Sequence, residues 1–178
     1  MIVLYKVYLS PSTQDKSFGV GNFGVEEFRM NQIADVVEQL LLKSGKYVVY
    51  RNISGMSKEE IIKNSNEVSP YIHIAIHSQY GNRPGCECYV KVGDEISNGF
   101  GKEIYKEVLE LYNNKNMDNG IVYDKSVIEI NKVNSPAVLI EVGCHDNIDN
   151  AKWIVQNIHN IGKAIYKGIE KGVALKVC

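Results

Sequence analysis

Tyr71-Ile-His-Ile-Ala-Ile-His77-Ser-Gln79 and Pro136-Ala-Val-Leu-Ile-Glu141-Val-Gly143 are two short apolar runs, each delivering one acid-base or metal-competent side chain near its end. Runs of this length, rich in isoleucine and valine and bounded by turn residues, fit strands of a parallel sheet covered on both faces. In open sheets of that kind, ligands bind in the crevice outside the carboxyl ends of the strands. The two runs therefore predict one cleft shared by His77 and Glu141.

Working outward, Met1 to Leu9 reads as an opening strand and Ser10 to Val25 as a long polar, glycine-rich loop of the kind that carries function. A helix is predicted from near Glu26, where Met30, Ile33, Ala34, Val37, Leu40 and Leu41 recur at helical spacing until Ser44-Gly45 stops them. Lys46 to Arg51 is the next strand, Ser57-Lys-Glu-Glu60 is a capping-box start to a short helix, and Pro70 ends the connection into the His77 strand. The order is βαβαβ. Beyond it, Gly85 to Val92 reads as an edge or antiparallel strand, Glu95 to Tyr112 as a helix and Val127 to Ile130 as a strand. The Glu141 strand follows, and a last helix carries Ile154, Ile158, Ile161, Ile165 and Ile169 on one stripe. The fold class expected for residues 1–178 is a single α/β domain with a mostly parallel sheet.

A chain of 178 residues can bury about 70% of its unfolded surface in one core. Its net charge of -1, with 23% charged residues of mixed sign, lacks the basic footprint that nucleic acid or an anionic membrane requires. No segment approaches the roughly 20 apolar residues needed to cross a bilayer. Four cysteines, Cys86, Cys88, Cys144 and Cys178, are too sparse for a secreted disulfide scaffold, and no charged-apolar-small leader precedes the first strand. The expectation is a monomer made in a reducing cytoplasm, which reaches any target outside it by release.

Several motifs have two readings. Gly19-Val-Gly21-Asn-Phe-Gly24 matches the dinucleotide fingerprint as a string, but it lies well past the first strand and leads into Glu26-Glu27, whose charges would repel a pyrophosphate. Acidic residues are favoured in a first helical turn by the macrodipole, yet at this place Glu27 can also overhang the cleft. His73 and His77 share a sheet face; His77 ends its strand and is the functional candidate, while His73 reads as a hydrogen-bonded core residue. Glu141 interrupts an apolar strand, so it must be paired, metal-associated or shifted in pKa. Cys144-His145 permits a thiolate-imidazole pair on paper, but buried cysteine acting as a small hydrophobe is the plainer reading.

Taken together, Gly21 to Asn31, Ile74 to Ser78, Gly85-Cys-Glu87 and Pro136 to Asn147 resemble, in order and over nearly the whole chain, the zinc-dependent N-acetylmuramoyl-L-alanine amidases of the amidase_3 group. Ser10-Pro-Ser-Thr-Gln14 is similar to the Ser-Pro-Ser-x-Gln that ends the first strand in clostridial and bacillar autolysins and phage endolysins. The resemblance implies a mixed sheet of about six strands with helices on both faces. It also implies a zinc ion held by Glu27 and His77, Glu141 as catalytic base, and peptidoglycan as substrate, cleaved between N-acetylmuramic acid and L-alanine. Where most of the family has a glycine-histidine-glycine signature supplying another ligand, this chain has Ser12-Thr13-Gln14-Asp15. Thr13 falls in the slot by ungapped alignment, Asp15 offers a carboxylate, and Gln14, which belongs to the subgroup signature, is the one chosen. The resemblance further implies that the enzyme acts on the cell wall after release, in phage lysis or mother-cell lysis, and no wall-binding module is read in the 178 residues. Two rivals stand beside it: a metal-free amidase-like binding module, and a cysteine hydrolase using Cys144.

Overall fold

The computed structural model describes residues 4–112 and 114–175. Its strands are β1 (Tyr5–Pro11), β2 (Tyr47–Arg51), β3 (Ile72–Gln79), β4 (Cys86–Val90), β5 (Asp118–Val122) and β6 (Ala137–Cys144). The helices are α1 (Glu26–Ser44), α2 (Lys58–Val68), α3 (Glu95–Leu109), α4 (Ile128–Lys132) and α5 (Ile148–Ala174). All six strands form one sheet in the order β2-β1-β3-β6-β4-β5. β2, β1, β3 and β6 run parallel, β4 is antiparallel to β6, and β5 is parallel to β4. The expected α/β class and mixed, mostly parallel sheet are observed.

Strand alternation divides the core in two. Val7, Leu9, Ile72, Ile74, Ile76, Val138, Ile140 and Val142 pack with buried residues of α1, α3 and α5 on one face. Ala75, Ala137 and Leu139 face the other way, against Ile62 of α2, Ile130 of α4 and Val133. This second layer is thin, because α2 has 11 residues and α4 only 5. Its coverage stops short of the carboxyl ends of β3 and β6, and there the cleft opens.

Local chemistry sets the boundaries. Gly45, at φ 70°, closes α1, and the Ser57–Glu60 capping box opens α2, both as expected. The strand expected over Met1 to Leu9 is observed from Tyr5, with residues 1–3 outside the described range, as is Cys178. Two expectations are corrected. Val127 to Ile130 belongs to α4 instead of a strand: Asn131 donates to the Val127 and Asp124 carbonyls, closing a helical turn that buries Glu129 as well as Ile130. Of the two readings of β4, the antiparallel one is observed, against β6, and the edge one is not, because β5 covers it. β5 has no counterpart among the elements read from the sequence; it opens on Asp118-Asn119-Gly120, and Gly120, at φ 89°, supplies the bulge that shifts its register against β4.

Candidate active site

Register places four polar side chains in a row along the carboxyl ends of the strands. Ser12, just past β1, donates its amide to the Ile76 carbonyl at 3.0 Å and stands beside His77. His77 pairs with Glu141 across β3 and β6, and Glu141 pairs with Glu87 across β6 and β4. His77 and Glu141 do share a cleft, a cavity of about 390 Å³ that Gln14, Glu26 and Glu87 also line.

The long loop after β1 hands Glu26 to this row. Its amide donates to the Ser17 carbonyl at 2.9 Å, and its carboxylate lies 3.1 Å from His77 Nδ1. The Ser78 amide donates to the same oxygen at 3.3 Å, and Ser12 also hydrogen-bonds the carboxylate. Burial opposes its charge, but the hydrogen bond and charge of His77 with the two serines outweigh it and hold the carboxyl below the usual range. His77 is the reciprocal case. Burial disfavours its charge, while the hydrogen bond it donates to Glu26 and the charges of Glu141, Glu26 and Glu129 raise it to about 9.

Glu141 differs from its neighbours. Burial pushes its carboxyl up to about 7, with His77 pulling down and the charges of Glu26 and Glu87 pushing further up. Its Oε2 is buried without a hydrogen-bond partner. Glu87 is fully engaged, accepting from the Tyr89 hydroxyl at 2.7 Å and Gln79 Nε2 at 3.4 Å, with Arg83 at 3.1 Å. Two adjacent carboxyls thus differ: Glu87 is fully hydrogen-bonded, while Glu141 is poised to exchange a proton near neutrality.

The helix-start carboxylate that reaches His77 is Glu26, and Glu27 does not line the cleft. Successive helical residues diverge by about 100°, so the two carboxylates take different directions, and Glu27, half-buried, keeps its Oε1 buried without a hydrogen-bond partner. Of the three residues considered for the remaining ligand, Gln14 lines the cleft, whereas Asp15 lines a neighbouring groove and Thr13 a smaller cavity behind His77. The glycine motif has a structural explanation. A Cβ on Gly19 would lie 2.4 Å from the Phe23 ring and 2.7 Å from the His145 carbonyl, and Gly21 and Gly24 have φ of 64° and 79°.

A family model described as N-acetylmuramoyl-L-alanine amidase matches residues 7–171. The chain belongs to the N-acetylmuramoyl-L-alanine amidases. The fold of this amidase is similar to that of the CwlV catalytic domain from Bacillus (Paenibacillus) polymyxa var. colistinus, with 20% identity and a TM-score of 0.85 over 98% of this chain and 100% of that one. An N-acetylmuramoyl-L-alanine amidase from Clostridium difficile 630 gives 18% identity and 0.84 over 97% and 98%. The catalytic domain of the CD27L endolysin targeting C. difficile gives 19% identity and 0.74 over 93% and 97%. No curated protein sequence matches the chain.

Three polar clusters surround the amidase site, and of their members only His73 was read from the sequence in the role it has. His145 is fully buried, with Ser78 Oγ at 2.8 Å from Nδ1 and Ser17 Oγ at 3.0 Å from Nε2, so it ties the loop after β1 to the end of β3. His73 is a core residue, as read: Ser65 Oγ lies 2.9 Å from Nδ1, Glu129 Oε1 3.0 Å from Nε2, and Tyr8 stacks on the ring. Its partner Glu129, which also accepts from Ser10 Oγ at 2.6 Å, was hidden in the segment read as a strand. The third is the Glu87 cluster; its alternation with Tyr89 was the available signal. Cys144 donates to Asp146 at 2.7 Å and its thiol is pushed up by burial, while both nitrogens of His145 are occupied by serines. No thiolate-imidazole pair forms there.

Among the described residues, no three His, Cys, Asp or Glu side chains gather as a metal site. The cleft nevertheless suits a cation. Glu26 and Glu141 flank one imidazole with Glu87 on the far side of Glu141, Glu26 and His77 converge to 3.1 Å, and Glu141 Oε2 is buried without a partner. A carboxylate and an imidazole are donors that zinc accepts.

Proposed function

We propose that this amidase cleaves the bond between the lactyl group of N-acetylmuramic acid and L-alanine with a zinc ion held by Glu26, His77 and the Gln14 side chain. The reading rests on the Glu26–His77 convergence beside a buried, unpartnered carboxyl on Glu141. Zinc bound there supplies Lewis acidity, which makes water ionisable near neutral pH and polarises the scissile carbonyl. Glu141 removes the proton from the attacking water and returns it to the departing amine of alanine, a role suited to a carboxyl titrating near 7. Ser12 and the Ser78 amide fix the Glu26 carboxylate, so its orientation does not depend on solvent.

Zinc content of protein purified without added metal tests the ligand set. Glu26→Ala and His77→Ala are expected to lose both zinc and hydrolysis, while Glu27→Ala and His73→Ala keep zinc. Zinc retained by Glu26→Ala and lost from Glu27→Ala would return the role to Glu27. A wild-type protein that takes up no zinc on reconstitution would favour the metal-free binding module.

Gln14 is tested separately by competition with a chromogenic chelator. Gln14→Ala should weaken zinc binding by at least the roughly 10–100-fold that loss of an outer partner costs, and Gln14→His should tighten it. A loss seen only with Asp15→Asn would move the ligand to Asp15.

A further inference from the structure

Beside the reaction cleft, and sharing Gln14, Ser17 and Tyr80 with it, lies an open groove of about 740 Å³ completed by Asp15, Lys16 and Phe18. Phe18 is 66% and Tyr80 77% exposed. Scattered exposed aromatics need no explanation, but two lining one groove next to a cleft do.

Both rings stand on pinned backbone. Phe18 pairs with Val25 in an isolated antiparallel bridge, and the Gly19 amide donates to the Gly24 carbonyl at 2.8 Å. The residue before Phe18, Ser17, is hydrogen-bonded to His145. The Tyr80 ring tilts against the His145 ring with centroids 5.9 Å apart, and the Gly81 and Asn82 amides donate to Asp146 at 2.9 and 3.0 Å. One buried histidine therefore underpins both aromatic positions. Their geometry is set before a ligand arrives, which lowers the ordering cost of binding.

From this geometry we infer that the groove is the glycan subsite, where Phe18 and Tyr80 stack on the apolar C–H faces of an N-acetylated hexosamine ring. The inference rests on the amidase reading above and assigns a direction to its substrate. The bond cleaved has an uncharged sugar on its acyl side and a peptide with carboxylates on its amine side. The groove offers two flat apolar faces with one carboxylate, one ammonium and one amide between them, so its charges cancel and its hydrogen-bonding groups suit hydroxyl and acetamido groups. The cleft itself, outside the groove, carries Arg83, 60% exposed beyond its ion pair with Glu87, which suits the peptide carboxylates. Rigid aromatic side chains give large contact area at small entropic cost, which fits recognition of a stiff sugar.

Two measurements test this. The first titrates an N-acetylglucosamine trimer into isotope-labelled wild-type protein and follows amide shifts. Perturbations should centre on Gln14 to Phe18 and Tyr80, and vanish in the Phe18→Ala/Tyr80→Ala double variant. No turnover is needed, so this result stands or falls apart from the zinc assignment. The second compares kcat/KM for a disaccharide-peptide with that for a lactoyl-peptide lacking sugar. Each single alanine variant should lower that ratio about tenfold, mainly through KM, and Tyr80→Phe should restore it because the ring, not the hydroxyl, carries the contact. Three results would overturn the inference: no shifts in the wild type, shifts centred on Arg83 and Tyr89, or an equal loss on both substrates.

Discussion

Glu141→Gln should lower the rate of amide hydrolysis by about 10²–10⁴-fold, the range a general base contributes, while the protein becomes more stable at pH 8. The loss follows from removing the one carboxyl in the cleft whose oxygen has no protein partner and which titrates near 7. The gain follows from linkage. The folded pKa, about 7, lies above the ordinary 4.5, so the folded state binds the proton more tightly and stability falls as pH rises through that interval. Glutamine removes this dependence, and the difference should reach about 1–3 kcal/mol at pH 8 and vanish near pH 4. Urea unfolding of both proteins stripped of metal, at both pH values, measures the stability effect, and release of free alanine amine by the zinc-loaded proteins measures the rate. A variant keeping more than a few per cent of wild-type rate, or one no more stable than wild type at pH 8, would make Glu141 a structural residue.

The second large effect lies behind the site. Glu129→Ala should destabilise the fold by about 3–5 kcal/mol, the usual cost of breaking a buried pair by removing one partner. It would leave His73 Nε2 and the Ser10 hydroxyl buried with their acceptor gone. The effect has a pH signature. Burial opposes ionisation of Glu129, but the hydrogen bond and charge of His73, the charge of His77 and the Ser10 hydroxyl lower its pKa from 4.5 to about 2. A depressed folded pKa means that the unfolded chain takes up the proton first, so this stabilisation is complete above pH 4.5 and is lost as pH falls towards 2. Wild type and Glu129→Ala should therefore converge in stability between those values. A loss under 1 kcal/mol at pH 7, or one independent of pH, would show that the pair contributes little.

The thin layer of α2 and α4 connects these two results. A longer α4 would cover the carboxyl ends of β3 and β6 and close the cleft; five residues suffice to bury Ile130 and to seal His73 with Glu129. The same sheet face thus carries a satisfied hydrogen-bonded His73–Glu129 pair and, at the rim, a carboxyl oxygen without a partner.

The sequence by itself determined the class of the fold and the location of the cleft. Apolar runs of strand length, helical spacing of Met30 to Leu41, and caps at Ser57 and Gly45 are local signals, and each reflects an element that forms largely from its own residues. His77 and Glu141 were legible because a polar group ending a buried strand has few innocuous explanations. Tertiary structure decided the rest. Glu26 and Glu27 are equivalent in composition, and only the entry angle of α1, set by the Ser17 contact and the glycine loop, chooses which one meets His77. Val127 to Ile130 has a strand-like composition, and burial of Glu129 against a histidine 56 residues away made it helical. β5 carries a glycine turn signal that pairing with β4 overrides. In each case the deciding partner lies far along the chain, where no periodicity or spacing can point to it.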